Sequence, residues 1–105
     1  MREKRRYIVF RVHSADKVQY HSLKSAVEES LLEFLGERGL ALAKPTLIKN
    51  LWTGHTGFLR TNPKFVDSVK VALALIHQIA DQPVTFQTLK VSGTIKSGKS
   101  ALKAK

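Results

Sequence analysis

Residues 56–76 read TGFLRTNPKFVDSVKVALALI, and within them an extended pattern gives way to a helical one. Residues 58–61, FLRT, follow a glycine-containing turn and read as a short β-strand. Asn62 suits a helix N-cap, and Pro63 suits the first helical position because its missing N–H has no helical partner there. The segment therefore predicts a strand followed at once by a helix. The apolar residues that repeat on one face of this helix are Phe65, Val66, Val69, Ala72, Leu73, Ile76 and Ile79.

Upstream of this segment, the sequence predicts a first strand and a long helix. Residues 7–13, YIVFRVH, are aromatic and β-branched, which is typical of a strand. Residues from about 16 to 35 have the apolar periodicity of an amphipathic helix, which we expect to end at Gly36 and Gly39. The expected core face of the strand carries Ile8, Phe10 and Val12.

Three further segments complete the predicted secondary structure. Residues 43–51 predict an edge strand, and a turn at residues 53–57 joins it to the strand at 58–61. Residues 84–91 predict a last strand, whose alternation slips near Thr88 and indicates a β-bulge.

The predicted order is strand, helix, strand, strand, helix, strand. This order is typical of an α+β, ferredoxin-like two-layer sandwich of the βαββαβ type, also called RRM-like, with two helices on one face of a four-stranded antiparallel sheet. The length of 105 residues suits a single domain, residues 1–105. In this topology the first and last strands are neighbours, so residues near Tyr7 are expected beside residues near Val91.

Charge is the most informative part of the composition. The chain has 18 Lys and Arg against 8 Asp and Glu, a formal net charge of +10. Residues 1–11 hold five basic side chains and one acidic, residues 90–105 hold five basic and none acidic, and the 78 residues between them hold eight basic and seven acidic. Nearly all of the excess lies at the two ends, which favours a phosphate-backbone binder. Solvated tails that only aid solubility are the alternative.

The predicted topology brings the two basic ends, residues 1–6 and 95–105, to the same end of the sheet. There they would form one positive patch opposed only by Glu3, which favours RNA binding over solubilising tails. We expect the chain after the last strand to be a short tail that contains serine and glycine. The basic residues expected in the patch are Arg2, Lys4, Arg5, Arg6, Lys96, Lys99, Lys103 and Lys105.

Several classes of protein are disfavoured by what the sequence lacks. It has no cysteine, which excludes disulfides and cysteine-ligated zinc and makes the cytoplasm the simplest expectation. The apolar run after the basic start is broken by Arg11 and has no small-residue cleavage site, so no signal peptide is predicted. No run approaches the ~18 apolar residues of a membrane span.

Apparent catalytic motifs are better explained as coincidence. Residues 93–100, GTIKSGKS, satisfy the phosphate-loop pattern, but only five residues follow them, too few for the helix and parallel sheet that such a loop requires. The acylphosphatases share the predicted fold, but their glycine-rich cradle corresponds to residues 13–17, HSADK, which has no glycine and carries an aspartate. The four histidines lack metal-ligand spacing. We therefore predict no catalytic residue and no metal site.

The sheet face away from the helices is the surface on which RNA-recognition motifs stack bases. Tyr7, Arg11, Phe58 and Arg60 can occupy that face. The strand at residues 58–61 lacks a second aromatic residue, so Phe58 stays open to three interpretations: a core residue, a base-stacking residue or a contact to a protein partner.

Four stretches of the chain resemble the archaeal ribonuclease P protein component 2 family, whose eukaryotic relatives serve ribonucleases P and MRP. They are REKRRYIVF at residues 2–10, LGERGLA at 35–41, TGFLR at 56–60 and VSGTIK at 91–96. Together they extend the resemblance over almost the whole chain.

The resemblance implies a subunit of an RNA-based endonuclease that removes the 5′ leader from precursor tRNA. Catalysis would belong to the ribonuclease P RNA and its bound magnesium, and the protein itself would bind no cofactor. The implied partners are that RNA, precursor tRNA and a barrel-type second subunit, component 3, with the chain forming a homodimer within a heterotetramer. A stand-alone RNA-binding or ribosome-associated domain of the same fold is the alternative.

The family's recurring motifs imply RNA-facing residues at the first strand, on the third strand and after the last strand. The matching positions are Arg5, Arg6, Tyr7, Arg60, Ser92, Gly93, Thr94 and Lys96. The basic ends and the uncovered sheet face add further candidates. The complete set of candidate RNA-binding residues is Arg2, Lys4, Arg5, Arg6, Tyr7, Arg11, Arg60, Lys90, Ser92, Gly93, Thr94, Lys96 and Lys99.

Overall fold

The computed structural model of the chain describes residues 4–103, apart from the side chain of Lys103. Arg2 and Lys105, which we expected in the basic patch, lie outside the described residues. The strands are β1 (Arg6–His13), β2 (Thr46–Leu47), β3 (Thr56–Thr61), β4 (Gln78–Ile79), β5 (Gln82–Pro83) and β6 (Thr85–Ser92). The α-helices are α1 (Tyr20–Ala43), α2 (Val66–Ala74) and α3 (Ile95–Lys103), with 3-10 turns at Lys49–Leu51 and Pro63–Phe65.

Strand β1 lies inside a four-stranded antiparallel sheet with the order β2-β3-β1-β6. It pairs with β6 through Tyr7 and Ser92, which confirms that the first and last predicted strands are neighbours. The register of this pairing shifts once, so that Leu89 has no cross-strand partner. The shift confirms the bulge expected near Thr88. The α+β sandwich predicted from the order of elements is therefore confirmed.

The main core lies between this sheet and helices α1 and α2. Ile8, Phe10 and Val12 alternate along β1 toward these helices, as expected. The Phe10 ring stacks on the rings of Trp52 and Phe86, with centroids 6.1 and 5.6 Å away. Each buried side chain of this size contributes roughly 1.5–3 kcal/mol, so this layer supplies much of the stability. The helical residues buried there are Leu23, Val27, Leu31, Val69, Ala72 and Leu73.

Helix α1 consists of two helical segments that meet at Gly36, where we expected the helix to end. Gly36 has φ 73° and ψ 173°, a non-helical conformation that glycine adopts without strain, so the first segment ends there as expected. The second half extends to Ala43, which is fully buried. The helix ends where Lys44 adopts a left-handed conformation (φ 48°) and its N–H donates to the carbonyl oxygen of Leu40. The stop expected at Gly39 was wrong, because a second helical segment follows the break at Gly36 and is held by buried Ala43 and by Leu40, which packs on the main core.

The edge strand expected over residues 43–51 is limited to β2. The turn Lys49–Leu51 interrupts it and leads into Trp52, whose indole Nε1 donates to the carbonyl oxygen of Val18 at 2.7 Å. The half-buried Trp52 packs on the main core. The predicted strand ends early because the chain turns to place this indole against the core.

Helix α2 ends at Ala74, although its apolar periodicity predicted continuation to Ile79. The chain instead forms the hairpin of β4 and β5, whose turn residues Ala80 and Asp81 have φ of 50° and 68°. Two left-handed residues are what a two-residue hairpin requires. Ile79 is still buried in the core. The apolar pattern therefore predicted correctly which residues are buried, but predicted a helix that is too long.

A third helix, α3, covers the sheet face that we expected to be open. A Cβ atom added at Gly98 would lie 2.6 Å from Cε2 of Phe58 and 3.0 Å from Cγ2 of Val9. Phe58 is 1% exposed and Val9 is 0% exposed. Phe58 is therefore a core residue beneath α3, which decides among its three interpretations. The expectation of a non-helical tail was wrong because half-buried Ile95 gives this segment an apolar side to bury.

Replacing Gly98 with alanine tests this packing, because helix propensity predicts a gain in stability and packing predicts a loss. Propensity alone would stabilise α3 by about 1 kcal/mol. The added methyl group would overlap the ring of Phe58, and overpacking of this kind costs about 1–3 kcal/mol. We expect Gly98→Ala to lower the melting temperature in thermal denaturation, by about 4–8 °C for each kcal/mol of net destabilisation.

Gly93→Ala is the matched control, because a Cβ atom at Gly93 would meet no other atom within 4 Å. It should leave the melting temperature nearly unchanged. A Gly98→Ala variant at least as stable as the unmodified chain would show that α3 does not pack on Phe58.

Candidate nucleic-acid interface

The alternation of β1 places its basic and aromatic residues on the face covered by α3. Ile8 faces the main core, so Tyr7 and Arg11 lie on the opposite face, on either side of Val9 along the strand. Arg60 of β3 pairs with Tyr7 and shares its face. The structure therefore brings Tyr7 and Arg60 together and separates Arg11 from them by the part of the sheet beneath α3.

The cations of the two basic ends meet at one end of the sheet, as far as residues 4–103 describe them. Lys4 and Arg5 precede β1, and Arg6 begins it. Helix α3 begins three residues after the partner of Tyr7 on β6 and carries Lys96 and Lys99, both exposed. The expected convergence of basic residues is thus present in the fold.

A pocket of about 160 Å³ lies where the start of β1, the end of α1 and the end of β3 meet. Its wall carries four basic side chains, those of Lys4, Arg5, Lys44 and Arg60, and we call it the basic pocket. Among the described residues, no Asp or Glu lines it. Lys44 was not expected from the sequence. The remaining lining residues are Ala43, Thr46, Thr61 and Asn62.

Hydrogen bonds to one carbonyl group fix the backbone around the basic pocket. The carbonyl oxygen of Ala43 accepts from Thr61 Oγ1 at 2.9 Å and from the N–H of Asn62 at 3.0 Å. Ala43 and Thr61 are both buried. These bonds join the end of α1 to the end of β3, so Lys44 and Arg60 extend from backbone held in one arrangement.

The stretch after β6 forms the beginning of α3. Ser92 Oγ donates to the carbonyl oxygen of Thr94 at 2.8 Å and accepts from the N–H of Thr94 at 3.2 Å. Thr94 Oγ1 accepts from the N–H of Ser97 at 3.1 Å, as an N-cap side chain does. Ser92 is buried, and Gly93 between the two is exposed. The hydroxyl groups of Ser92 and Thr94 therefore stabilise the turn that leads into α3.

The ammonium group of Lys90, another candidate RNA-binding residue, has three oxygen partners in α3. Its Nζ donates to the carbonyl oxygen and Oγ of Ser97, both at 3.1 Å, and to Oγ of Ser100 at 3.3 Å. An ammonium group has three N–H donors, so these contacts occupy all of them. Lys90 of β6 is therefore hydrogen-bonded to α3 and holds this helix against the strand.

The apparent phosphate-loop motif has no loop. Residues 98–100, its Gly-Lys-Ser, lie inside α3, and Gly98 packs on the sheet, so their amides cannot cradle a nucleotide. Within residues 4–103, no group of three His, Cys, Asp or Glu residues is placed to hold a metal ion. No helix in the same range is long and apolar enough to cross a membrane.

Together, these features define a class of protein: a small basic α+β sandwich with cations gathered at one end of its sheet. The chain matches the Rpp14/Pop5 family over residues 6–103 and belongs to that family. The family resemblance found in the sequence is confirmed. A chain in the cryo-EM structure of yeast ribonuclease MRP has the same fold, with a TM-score of 0.67 over 99% of this chain and 89% of that one, at 13% identity.

Three relatives are named ribonuclease P protein component 2. That of Thermococcus kodakarensis is 41% identical over 91% of this chain and 80% of its own length. That of Pyrococcus horikoshii is 37% identical over 100% of this chain and 88% of its own. That of Methanocaldococcus jannaschii is 33% identical over 94% of this chain and 72% of its own.

Replacing Lys90 with methionine tests its attachment of α3, because methionine keeps the apolar stem and removes the donors. Loss of hydrogen bonds from a charged group costs about 1.5 kcal/mol or more. We expect the amide hydrogens of α3 to exchange about tenfold faster in Lys90→Met, measured by hydrogen exchange under native conditions. Lys99→Met, at an exposed position of the same helix, is the control and should leave their exchange unchanged. Equal exchange in both variants would contradict this role for Lys90.

Proposed function

We propose that this chain is a protein subunit of ribonuclease P that binds the RNA through its basic end and has no catalytic residues. The observation that carries the proposal is membership of the Rpp14/Pop5 family across residues 6–103, with relatives named ribonuclease P protein component 2. The net charge of +10 agrees with an RNA partner. The complex, in the cytoplasm, removes the 5′ leader from precursor tRNA.

The contribution of the protein in this proposal is electrostatic. Arg5, Arg6, Lys96 and Lys99 form what we call the clamp, which neutralises backbone phosphates as they approach each other in the folded RNA. Because the contacts are to phosphates, they do not depend on the identity of the bases. The RNA carries out the hydrolysis with magnesium ions that it binds itself, and the protein binds no cofactor.

A groove between α1 and the segment that follows α2, about 400 Å³ in volume, is the surface on which we place the protein partner. Phe34 and Leu75 line it although they are 46% and 59% exposed, and Ile76 lies beside them. Adjacent exposed apolar side chains mark interaction sites. Glu29 and Glu33 also line the groove and would repel phosphates, so a protein suits it better than RNA.

The occupant that we propose for this groove is the barrel-type subunit, component 3. The groove is formed by α1 and residues 75–78 and shares no lining residue with the basic pocket, so RNA and protein can bind at the same time. A second copy of this chain, as in a homodimer within a heterotetramer, is the competing occupant. Substitutions in the groove distinguish the two, because they would then affect self-association and not the binding of component 3.

Reversal of all four clamp charges to glutamate should weaken RNA binding strongly at low salt. Each lost phosphate contact should flatten the slope of log affinity against log salt by about 0.7–0.9. Arg5, Lys96 and Lys99 are exposed, so their substitutions should each shift the free energy of unfolding by only about 0.5 kcal/mol, whereas Arg6 is half-buried and its substitution should cost more. The measurements are RNA affinity across a salt series, melting temperature, and the magnesium concentration needed for precursor-tRNA cleavage by the reconstituted enzyme, which should rise.

The matched control reverses four cations outside the two basic ends, Lys17, Lys24, Arg38 and Lys70. Its net charge equals that of the clamp variant, so net charge alone would affect both equally. Unchanged affinity and unchanged stimulation of cleavage in a folded clamp variant would return the basic ends to the role of solubilising tails.

The double substitution Phe34→Ser and Leu75→Ser should abolish co-purification of component 3 and leave RNA affinity unchanged. Both side chains are exposed, so the melting temperature should change little. Leu32→Ser with Leu42→Ser is the control, since these residues are 46% and 54% exposed and do not line the groove. If the groove variant becomes monomeric in light scattering and still binds component 3, the groove is the self-association surface and this docking proposal is wrong.

A further inference from the structure

We infer that the basic pocket binds a single phosphate group of the RNA, at a position apart from the clamp contacts on α3. That the phosphate belongs to RNA rests on the proposed function. Binding of phosphate itself does not, and it can be tested with the isolated chain. No motif of the sequence indicated this site, because Lys44 enters it only through the fold.

Three separate segments bring their positive charges to the basic pocket. Lys4 and Arg5 come from the chain before β1, Lys44 from the end of α1 and Arg60 from β3. Positive charge gathered in one concavity raises the local electrostatic potential, which attracts anions. The arrangement is therefore suited to a negatively charged group.

The shape of the pocket favours one held group over a diffuse ion cloud. Its volume of about 160 Å³ is well above the roughly 10–15 Å³ that one water molecule requires. Arg60 can offer two parallel N–H groups to two phosphate oxygens, while a lysine such as Lys44 acts as a point charge. Asn62 adds a neutral amide donor, Nδ2, while its Oδ1 accepts from the N–H of Lys64 and the hydroxyl of Thr46 donates to the carbonyl oxygen of Lys44. Several donors can thus converge on one phosphate.

The backbone that carries the donors is ordered before any ligand arrives. Arg60 lies on a strand that is paired on both sides, with Tyr7 of β1 and Thr46 of β2. Lys44 follows a helix end whose last carbonyl accepts two hydrogen bonds from the end of β3. A site whose backbone is already ordered loses less entropy when it binds, which raises its affinity for a small anion.

The ligand chemistry is a phosphate group, and RNA offers it in two forms. A backbone phosphodiester carries one negative charge, whereas a terminal phosphomonoester carries about 1.5–2 at pH 7. The cationic wall accepts either form. The two are distinguished by giving the chain a short single-stranded RNA with and without a 5′-terminal phosphate, alongside inorganic phosphate alone.

The test compares two double variants of the full chain with equal net charge. Lys44→Gln with Arg60→Gln removes two cations of the basic pocket and keeps Arg5 and the rest of the clamp. Lys24→Gln with Arg38→Gln removes two exposed cations of α1 that do not line it. Inorganic phosphate and the two RNAs are titrated into each by calorimetry or NMR. We expect the pocket variant to bind phosphate at least about tenfold more weakly, because it loses the charge-assisted hydrogen bonds of two side chains, and the control to stay within about twofold.

Each outcome bears on the inference. Tighter binding of the 5′-phosphorylated RNA, lost in the pocket variant, assigns the pocket to a terminal phosphate, and equal binding of both RNAs assigns it to the backbone. Equal weakening in the two double variants, or no phosphate binding by the unmodified chain, would overturn it. Lys44→Gln alone, at an exposed position, repeats the test if the Arg60 substitution lowers the melting temperature.

Failure of the site and failure of the proposed function are separable. A chain that binds phosphate in the basic pocket but does not stimulate precursor-tRNA cleavage would retain the site and lose the function. A chain that stimulates cleavage equally well with and without Lys44 and Arg60, and shows no difference in phosphate binding, would retain the function and lose the site.

Discussion

Strand β1 is buried on both of its faces, and the rest of the protein depends on this constraint. Ile8, Val9 and Phe10 are each 0% exposed, so both faces of the sheet must be covered along its middle. Helices α1 and α2 cover one face, and α3 covers the other. The backbone of a buried strand must also find hydrogen-bond partners on both edges, which β3 and β6 provide. The basic end of the molecule follows from the same arrangement, because β1 begins where β3 and β6 end.

The elements that sequence periodicity predicted are those whose local pattern and tertiary environment agree. The strands at β1 and β6, the bulge between them and the start of the helical region after Asn62 are of this kind. The missed elements depend on distant contacts: Gly36 interrupts the helix as expected, but the second helical segment after it depends on the burial of Ala43 in the core. The turn of the β4–β5 hairpin uses Ala80 and Asp81 in place of the usual glycine pair, so its signal is weak. Helix α3 did leave a trace, since an uninterrupted apolar run in β1 is typical of a strand covered on both faces.

The candidate site was predicted in part for the same reason. The order of elements predicts that β1 and β6 are neighbours, and this pairing brings the two basic ends together. Lys44 was missed because its position depends on where α1 ends, and that end lies beyond the break at Gly36. Ser92 appeared as RNA-facing from the family motifs and Lys90 from the wider set of candidates, yet their side chains bind groups of α3 and its turn. Recurrence of a residue such as Ser92 in a family can thus reflect the shape of a turn as well as contact with a ligand.

The pairing of β1 with β6 also has a consequence for how the protein is made. The ribosome synthesises β1 first among these strands and β6 last, and about 70 residues between them take some 4–14 s at 5–20 residues per second. During that interval one edge of an apolar strand has no partner, which leaves the nascent chain open to association with other chains. Contacts between such distant segments also slow folding after release. Production of this protein is therefore sensitive to the pace of translation and to the availability of chaperones, even though its finished core is well packed.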